Sequence, residues 1–250
     1  AGSRFAPVAL RGETVLAQEN YSPYFRRDLA DRQVHDAGDV EIIFGNRDKT
    51  LQRIEQVSRW IVSAGKIPFF IGGEHLITLP AITPLIEKFP DLRVLQLDAH
   101  LDLIDALFGD RISHGTVMRR IHELMGGEKR IYQLGIRSGS PEEYAFAAQN
   151  TRLGEFDISD VSEFAAEMKN NPLYITVDLD VFDPSLLPGT GTPEAGGIFF
   201  PEFIKVLKTL QTSGCRIVGA DMVELSPQID PTGNSTVTAS KILREMLVMI

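Results

Sequence analysis

The chain has 250 residues, 43% of them hydrophobic and 24% charged, and its 34 Asp plus Glu outnumber 25 Lys plus Arg to leave a formal net charge of −9. That composition excludes collagenous, low-complexity and disordered classes, and the acidic balance excludes the basic surface that a nucleic-acid backbone requires. No uncharged apolar run approaches the ~18 residues of a membrane span, and the single cysteine, Cys215, excludes an internal disulfide and any thiolate-rich metal site.

In chain order, residues 1–11 contain no apolar signal core, so the chain is expected to be cytoplasmic. Leu51, Ile54, Val57 and Ile61 then recur at helical spacing and stop near Gly65, which predicts an amphipathic helix. Residues 67–71 form an apolar run of strand length that passes into Gly72-Gly73-Glu74-His75. A second run, residues 92–97, passes into Asp98-Ala99-His100-Leu101-Asp102, and residues 131–134 form a third. Residues 173–177 lead into Asp178-Leu179-Asp180. A helix opened by Pro201, carrying Ile204, Leu207 and Leu210 and closed by Gly214, precedes the last strand, residues 217–220, which runs into Asp221-Met222-Val223-Glu224. A final helix carries Ala239, Ile242, Leu243, Met246 and Leu247. Strands apolar on both faces that alternate with helices predict a doubly wound, mostly parallel α/β sheet with helices on both faces. With no repeat and no linker-like stretch, the whole of residues 1–250 reads as one domain.

Four of these strands end in side chains that bind cations or move protons, and in an open parallel sheet the carboxyl ends of the strands line a common crevice. Asp98, His100 and Asp102 stand at i, i+2 and i+4, so an extended backbone would place them on one face; Asp178 and Asp180 repeat the spacing. Taken singly, each Asp would serve equally as a helix cap. Gathered on one face, the carboxylates repel one another and lose solvation unless cations neutralise them. Four Asp with His75 and His100 suffice for two ions, and a donor set of oxygen and nitrogen suits Mn²⁺, with Zn²⁺, Co²⁺ and Fe²⁺ as alternatives. A metal pair ~3.5 to 4 Å apart makes hydrolysis the natural chemistry. His114, in Ser113-His114-Gly115, is either a proton shuttle or a surface residue. Glu224 either holds a cation or pairs with a surface lysine, and the stretch from Pro188 to Gly197 is either a simple turn or the rim of the crevice. Asp183 reads as a turn cap, and Asp221 is open to a buried hydrogen-bonding role. Phe44-Gly45-Asn46-Arg47-Asp48 superficially echoes a dinuclear phosphoesterase motif, but it lacks the histidine, and five His in the chain cannot build that class's late cluster.

With these residues the chain resembles the ureohydrolase family of arginases, agmatinases, guanidinobutyrases and formiminoglutamases. The Gly-Gly-acid-His at His75, the Asp-Ala-His-x-Asp from Asp98 to Asp102, the His-Gly at His114, the Asp-x-Asp-x-x-Asp-Pro from Asp178 and the late Glu224 stand in the family's order. Ser22-Pro23-Tyr24, Asp36-Ala37-Gly38-Asp39-Val40, Phe44-Gly45-Asn46 and the Pro188 to Gly197 loop look most like agmatinases. The resemblance implies an arginase-like three-layer fold and two Mn²⁺ per subunit, one bound by His75, Asp98, Asp102 and Asp178, the other by His100, Asp98, Asp178 and Asp180. It implies a metal-bridging hydroxide that attacks a guanidinium held by Glu224, with His114 protonating the departing amine or relaying protons. The implied reaction converts agmatine to putrescine and urea; 4-guanidinobutyrate and arginine are the alternative substrates, and a non-catalytic metal-binding homologue is the remaining one. Residues 110–114 lack the Asn-rich character of the arginase loop. The family's habit implies a homo-oligomer, trimer or hexamer. Three departures stand out. Glu74 replaces the more usual Asp, Leu101 replaces Thr or Ser and is expected to point away from the crevice, and the sequence starts at Ala1 without the strand and Gly/Pro-rich loop that normally precede Ser3-Arg4-Phe5, so either the sequence is truncated or one edge strand is missing.

Overall fold

A computed structural model describes residues 2–16 and 19–250. Its centre is a six-stranded sheet built from β3 (Phe69–Ile71), β4 (Arg93–Leu97), β5 (Ile131–Ile136), β6 (Arg152–Glu155), β7 (Pro172–Asp178) and β8 (Arg216–Val223), in the order β3-β8-β7-β4-β5-β6 with every pairing parallel. A separate two-residue antiparallel pair, β1 (Tyr21–Ser22) and β2 (Arg27–Asp28), precedes it. The helices are α1 (Ala6–Leu16), α2 (Arg47–Ser63), α3 (Thr78–Lys88), α4 (Val117–Leu124), α5 (Pro141–Asn150), α6 (Val161–Met168), α7 (Phe200–Ser213) and α8 (Asn234–Met249).

Strand alternation divides the core between two layers. Leu95 and Leu97 of β4, with Leu173, Ile175 and Val177 of β7, pack against α1, α6, α7 and α8. Val94 and Tyr174, pointing the other way, pack against α2, α3, α4 and α5. This is the doubly wound, three-layer arrangement that buries parallel strands on both faces. No helix among the described residues is long and apolar enough to cross a membrane.

The expected strands are present with shifted ends. β3 begins at Phe69, because Pro68 has no N–H to give and contributes only its carbonyl, to Ala220. β8 runs three residues past Ala220, because the Asp221 carboxylate is satisfied inside the sheet and does not end it. β6 was invisible to an apolar pattern: its sequence is Arg-Leu-Gly-Glu, and only Gly154 is buried. Five helices beyond the three legible by periodicity complete the layers, among them α3 with Pro84 inside it.

Topology places the site. From β4 the chain passes through α4 to its neighbour β5, whereas from β7 it passes through α7, on the opposite face, to β8. The adjacent central strands β4 and β7 therefore send their connections to opposite sides, and the crevice between their carboxyl ends is the position where such sheets bind ligands.

Candidate metal centre

Beyond Leu97, the Asp98 N–H still bonds the Leu134 carbonyl at 3.2 Å, so the first acidic residue sits on the lip of the sheet. Its side chain is fully buried, taking the His100 N–H on Oδ1 at 2.6 Å and the Gln96 amide on Oδ2 at 2.6 Å. The following residues do not stay extended. Asp102 adopts φ +55°, a left-handed conformation unusual for a non-glycine residue. Its carbonyl accepts from the N–H groups of Met118 and Arg119. Convergence of Asp98, His100 and Asp102 thus depends on a kink as well as on period-two alternation.

Across the crevice, Asp178 closes β7 and accepts the Asp180 N–H at 3.0 Å, while Asp180 reaches over to accept the Ala99 N–H at 3.0 Å. These bonds lock the two acidic loops together. His75 enters on the single helical turn after β3, and its backbone N–H donates to Glu224 Oε1 at 2.8 Å. Glu224 itself has φ +64° and is tied back to Gly73 by its own N–H.

The six residues expected as ligands meet at one point. His75 Nδ1 lies 3.0 Å from Asp102 Oδ2, 3.2 Å from Asp98 Oδ2 and 3.3 Å from Asp178 Oδ2. His100 Nδ1 lies 2.9 Å from Asp180 Oδ2 and 3.6 Å from Asp98 Oδ1. Two groups with ligand atoms close enough to share an ion emerge, His75/Asp98/Asp178 and Asp98/His100/Asp180, with Asp98 common to both. The first is wholly buried, whereas the His100 side chain is 25% exposed.

Electrostatics test whether cations fit. Burial pushes Asp178 well above the carboxylate range and Asp102 up to about 6, and raises Asp180; in all three, neighbouring carboxylate charge adds to the effect. Burial also raises Asp98, but its contacts with the two imidazoles outweigh that and hold it below the usual range. Burial disfavours a charged imidazole, yet the surrounding carboxylates still carry His75 well above 6.5 and His100 up to about 11. The buried Nδ1 of His75 has no hydrogen-bond partner although three carboxylate oxygens face it. Three buried carboxylates around an unbonded ring nitrogen are costly as a bare arrangement. Divalent cations satisfy the acids and the nitrogen together, and a donor set of carboxylate and imidazole without sulfur suits Mn²⁺.

His114 and Glu224 stand apart from that cluster but border the same cavity of about 160 Å³. His114, on a short turn packed against that of His75, has a side chain 51% exposed, with Nδ1 3.5 Å from Glu74 Oε1. The Glu74 carboxylate raises the pKa of His114 and is itself lowered by the imidazole. Burial pushes Glu224 up to about 7. Neither is paired with a surface lysine.

Several contributors were not singled out from sequence. Thr192 borders the cavity and donates to Asp180 Oδ2 at 3.2 Å, which makes the stretch from Pro188 to Gly197 a rim. Arg137 staples that rim, reaching the carbonyls of Glu194, Ala195 and Asp180. Thr176 meets His75 Nε2 at 2.9 Å, and its position two residues before Asp178 on the same strand face was the available signal. Asp221 is the buried hydrogen-bonding residue, taking the hydroxyls of Tyr174 and Thr176, and Asp183 caps its turn through Ser185, Gly196 and Gly197. Leu101 is fully buried in the layer of α2 to α5, as its apolar character requires, and it also borders the cavity.

A profile of the family described as "Arginase family" matches residues 1–249. The agmatinase of Bacillus subtilis (strain 168) is 41% identical over 249 residues, covering 99% of this chain and 85% of its own length. The mitochondrial guanidino acid hydrolase of Homo sapiens is 32% identical over 257 residues, covering 98% of this chain and 72% of its own. The crystal structure of the agmatine ureohydrolase of Thermoplasma volcanium superposes with a TM-score of 0.88 at 32% identity, covering 99% of this chain and 83% of that one.

Proposed function

The chain belongs to the arginase family and is a ureohydrolase, and from that premise we propose that it hydrolyses agmatine to putrescine and urea at a pair of Mn²⁺ ions. One ion falls to His75, Asp98, Asp102 and Asp178, the other to His100, Asp98, Asp178 and Asp180. The observation that carries the reading is the orphaned, buried Nδ1 of His75 facing three carboxylates, with a second imidazole and carboxylate across the shared Asp98. When bound, a metal pair lowers the pKa of a coordinated water from 15.7 toward ~7 and so supplies a nucleophile for the guanidinium carbon at neutral pH.

The chain's own groups do the rest. Glu224 holds the guanidinium of the substrate: burial raises its pKa, and the arriving cation favours its charged form. The bond from the His75 N–H fixes one of its oxygens. His114, whose pKa Glu74 raises, delivers a proton to the departing amine nitrogen and regains it from solvent through its exposed side.

Charge around the cavity favours agmatine over its rivals. Glu143 and Glu224 line it, Glu74 and Glu194 flank its histidines, and among the described residues no lysine or arginine lines it. An ammonium tail is attracted there, whereas the carboxylate of 4-guanidinobutyrate or arginine is repelled. The similarity to a relative named guanidino acid hydrolase keeps 4-guanidinobutyrate as the second reading. We place the enzyme in the cytoplasm as a homo-oligomer, trimer or hexamer, and sedimentation as a monomer would reject that assembly.

The direct experiment loads the protein with Mn²⁺ and measures urea release from agmatine, arginine and 4-guanidinobutyrate. The expected result is the highest kcat/KM on agmatine. A higher value on 4-guanidinobutyrate would move the substrate assignment, and no urea from any of the three with two Mn²⁺ bound would reject the reaction.

A further inference from the structure

We propose that Thr176, oriented by Asp221, is a positioning residue that fixes the tautomer of His75, so that the Nδ1 lone pair faces Asp98, Asp102 and Asp178. The inference rests on His75 being a metal ligand, as argued above. It is carried by a chain of hydrogen bonds whose direction follows once Asp221 acts as a carboxylate acceptor, the form that the hydroxyls around it favour. Asp221 Oδ2 takes the Tyr174 hydroxyl at 2.7 Å and Oδ1 takes the Thr176 hydroxyl at 2.6 Å. Thr176 has one proton, and it is spent on Asp221. Its oxygen, 2.9 Å from His75 Nε2, is therefore an acceptor, and the ring must bring the N–H.

The opposite tautomer fails on the same contacts. With Asp221 ionised, Nε2 as the acceptor would turn the Thr176 proton to the ring and leave two oxygens, Asp221 Oδ1 and Thr176 Oγ1, at 2.6 Å with no proton between them. Thr78, whose Oγ1 lies 3.4 Å from Thr176 Oγ1, then acts as donor and does not disturb the pattern. All five side chains are at most 1% exposed, so water cannot reassign the bonds. With Nε2 carrying the proton, the metal-loaded ring offers its Nδ1 lone pair to an ion among the three carboxylate oxygens that lie 3.0 to 3.3 Å away.

His100 has no such support. Its Nδ1 faces Asp180 and Asp98, but its Nε2 meets only Glu194 Oε1, at 3.9 Å, on a side chain 25% exposed. Hydrogen bonds behind a metal-binding imidazole raise its basicity and fix its orientation. The relay should therefore act on one ion of the pair and leave the other.

The test uses the full chain loaded with Mn²⁺, with metal content read by mass spectrometry after dialysis at graded free Mn²⁺ and the spin-coupled pair read by EPR. Thr176→Val removes the hydroxyl at nearly constant volume and is expected to weaken one of the two ions ~10- to 100-fold, abolishing the coupled spectrum before the second ion is lost. Thr176→Ser keeps the hydroxyl and is expected to hold both ions as the unmodified protein does. Two Mn²⁺ in Thr176→Val, bound with unchanged affinity and spectrum, would overturn the proposal. Should that variant not fold, ¹⁵N histidine NMR of the unmodified chain loaded with diamagnetic Zn²⁺ decides: a proton on Nε2 of His75 is expected, and a proton on Nδ1 overturns the relay. An unmodified protein that takes up no divalent metal would overturn the metal reading itself, and the relay with it, which is a different result from two bound ions indifferent to Thr176.

Discussion

Glu74 faces the imidazole of His114. Its Oε1 stands 3.5 Å from His114 Nδ1, and the carboxylate raises the pKa of that ring. A general acid works only while protonated, so the limb of activity governed by His114 falls as pH rises through its pKa. Removing the anion lowers that pKa and makes the loss begin earlier. Glu74→Gln is therefore expected to shift the high-pH limb of the kcat/KM profile to lower pH while leaving Mn²⁺ content unchanged. A limb at the same pH in both proteins would detach His114 from the proton transfer. The sequence showed Glu74 only as a departure from the more usual Asp, because which residue lies opposite it depends on the packing of two short turns that are 39 positions apart. The proposed metal ligands were legible for the reverse reason: each lies within five residues of the end of an apolar strand, and the parallel sheet brings those strand ends together, with a kink at Asp102 completing the convergence.

At the level of elements, the rim from Pro188 to Gly197 depends on a glycine that the sequence offers as one of several. A methyl group placed on Gly197 would lie 2.5 Å from the Asp183 nitrogen and 2.5 Å from the Phe182 carbonyl carbon, both backbone atoms that cannot step aside. The same residue donates to Asp183 Oδ2, beside an isolated bridge that pairs Phe182 with Ile198. Gly197→Ala must displace the rim, and the Thr192 hydroxyl then leaves Asp180. The expected cost is about 1–3 kcal/mol of stability, read by thermal or urea unfolding, together with a fall in kcat/KM larger than that of a Gly214→Ala control at the end of α7. A rim that tolerates the methyl with unchanged stability and turnover would show that it does not hold Asp180. Helices and strands divide along the same physical line. α2, α7 and α8 announce themselves by periodic apolar faces. β6 is a short edge strand with one buried residue, and α3 contains Pro80 and Pro84, so tertiary packing overrode what local sequence favours.

For the molecule as a whole, the site makes stability depend on metal and pH together. Without a cation, Asp178, Asp180 and Asp102 keep protons in the folded state that the unfolded chain releases near pH 3.8, with Asp102 retaining its own up to about 6. A carboxyl whose folded pKa is raised loses stability as pH climbs from the unfolded value to the folded one. His75 and His100, raised above 6.5, contribute stability below that value and lose it as pH rises toward the folded value, about 11 for His100. Asp98, lowered by the imidazoles, has the opposite sign, but its contribution is complete by pH ~5 and changes nothing above it. Every site term that varies between pH ~5 and 8 thus weakens the metal-free fold as pH increases, whereas His122, lowered by burial outside the site, acts in the opposite sense with and without metal and cancels in the difference. Metal binding, which requires deprotonated ligands, strengthens over the same interval. At free Mn²⁺ 100 times its Kd, one site contributes about 2.7 kcal/mol, which for a chain of this length corresponds to roughly 5–10 °C in Tm. The difference in Tm between Mn²⁺-loaded and chelator-treated protein is expected to grow steadily from pH 5 to pH 8. Differential scanning calorimetry at four or five pH values measures it, and a difference that stays flat or shrinks with pH would mean that the buried acids and imidazoles are not the groups that hold the ions.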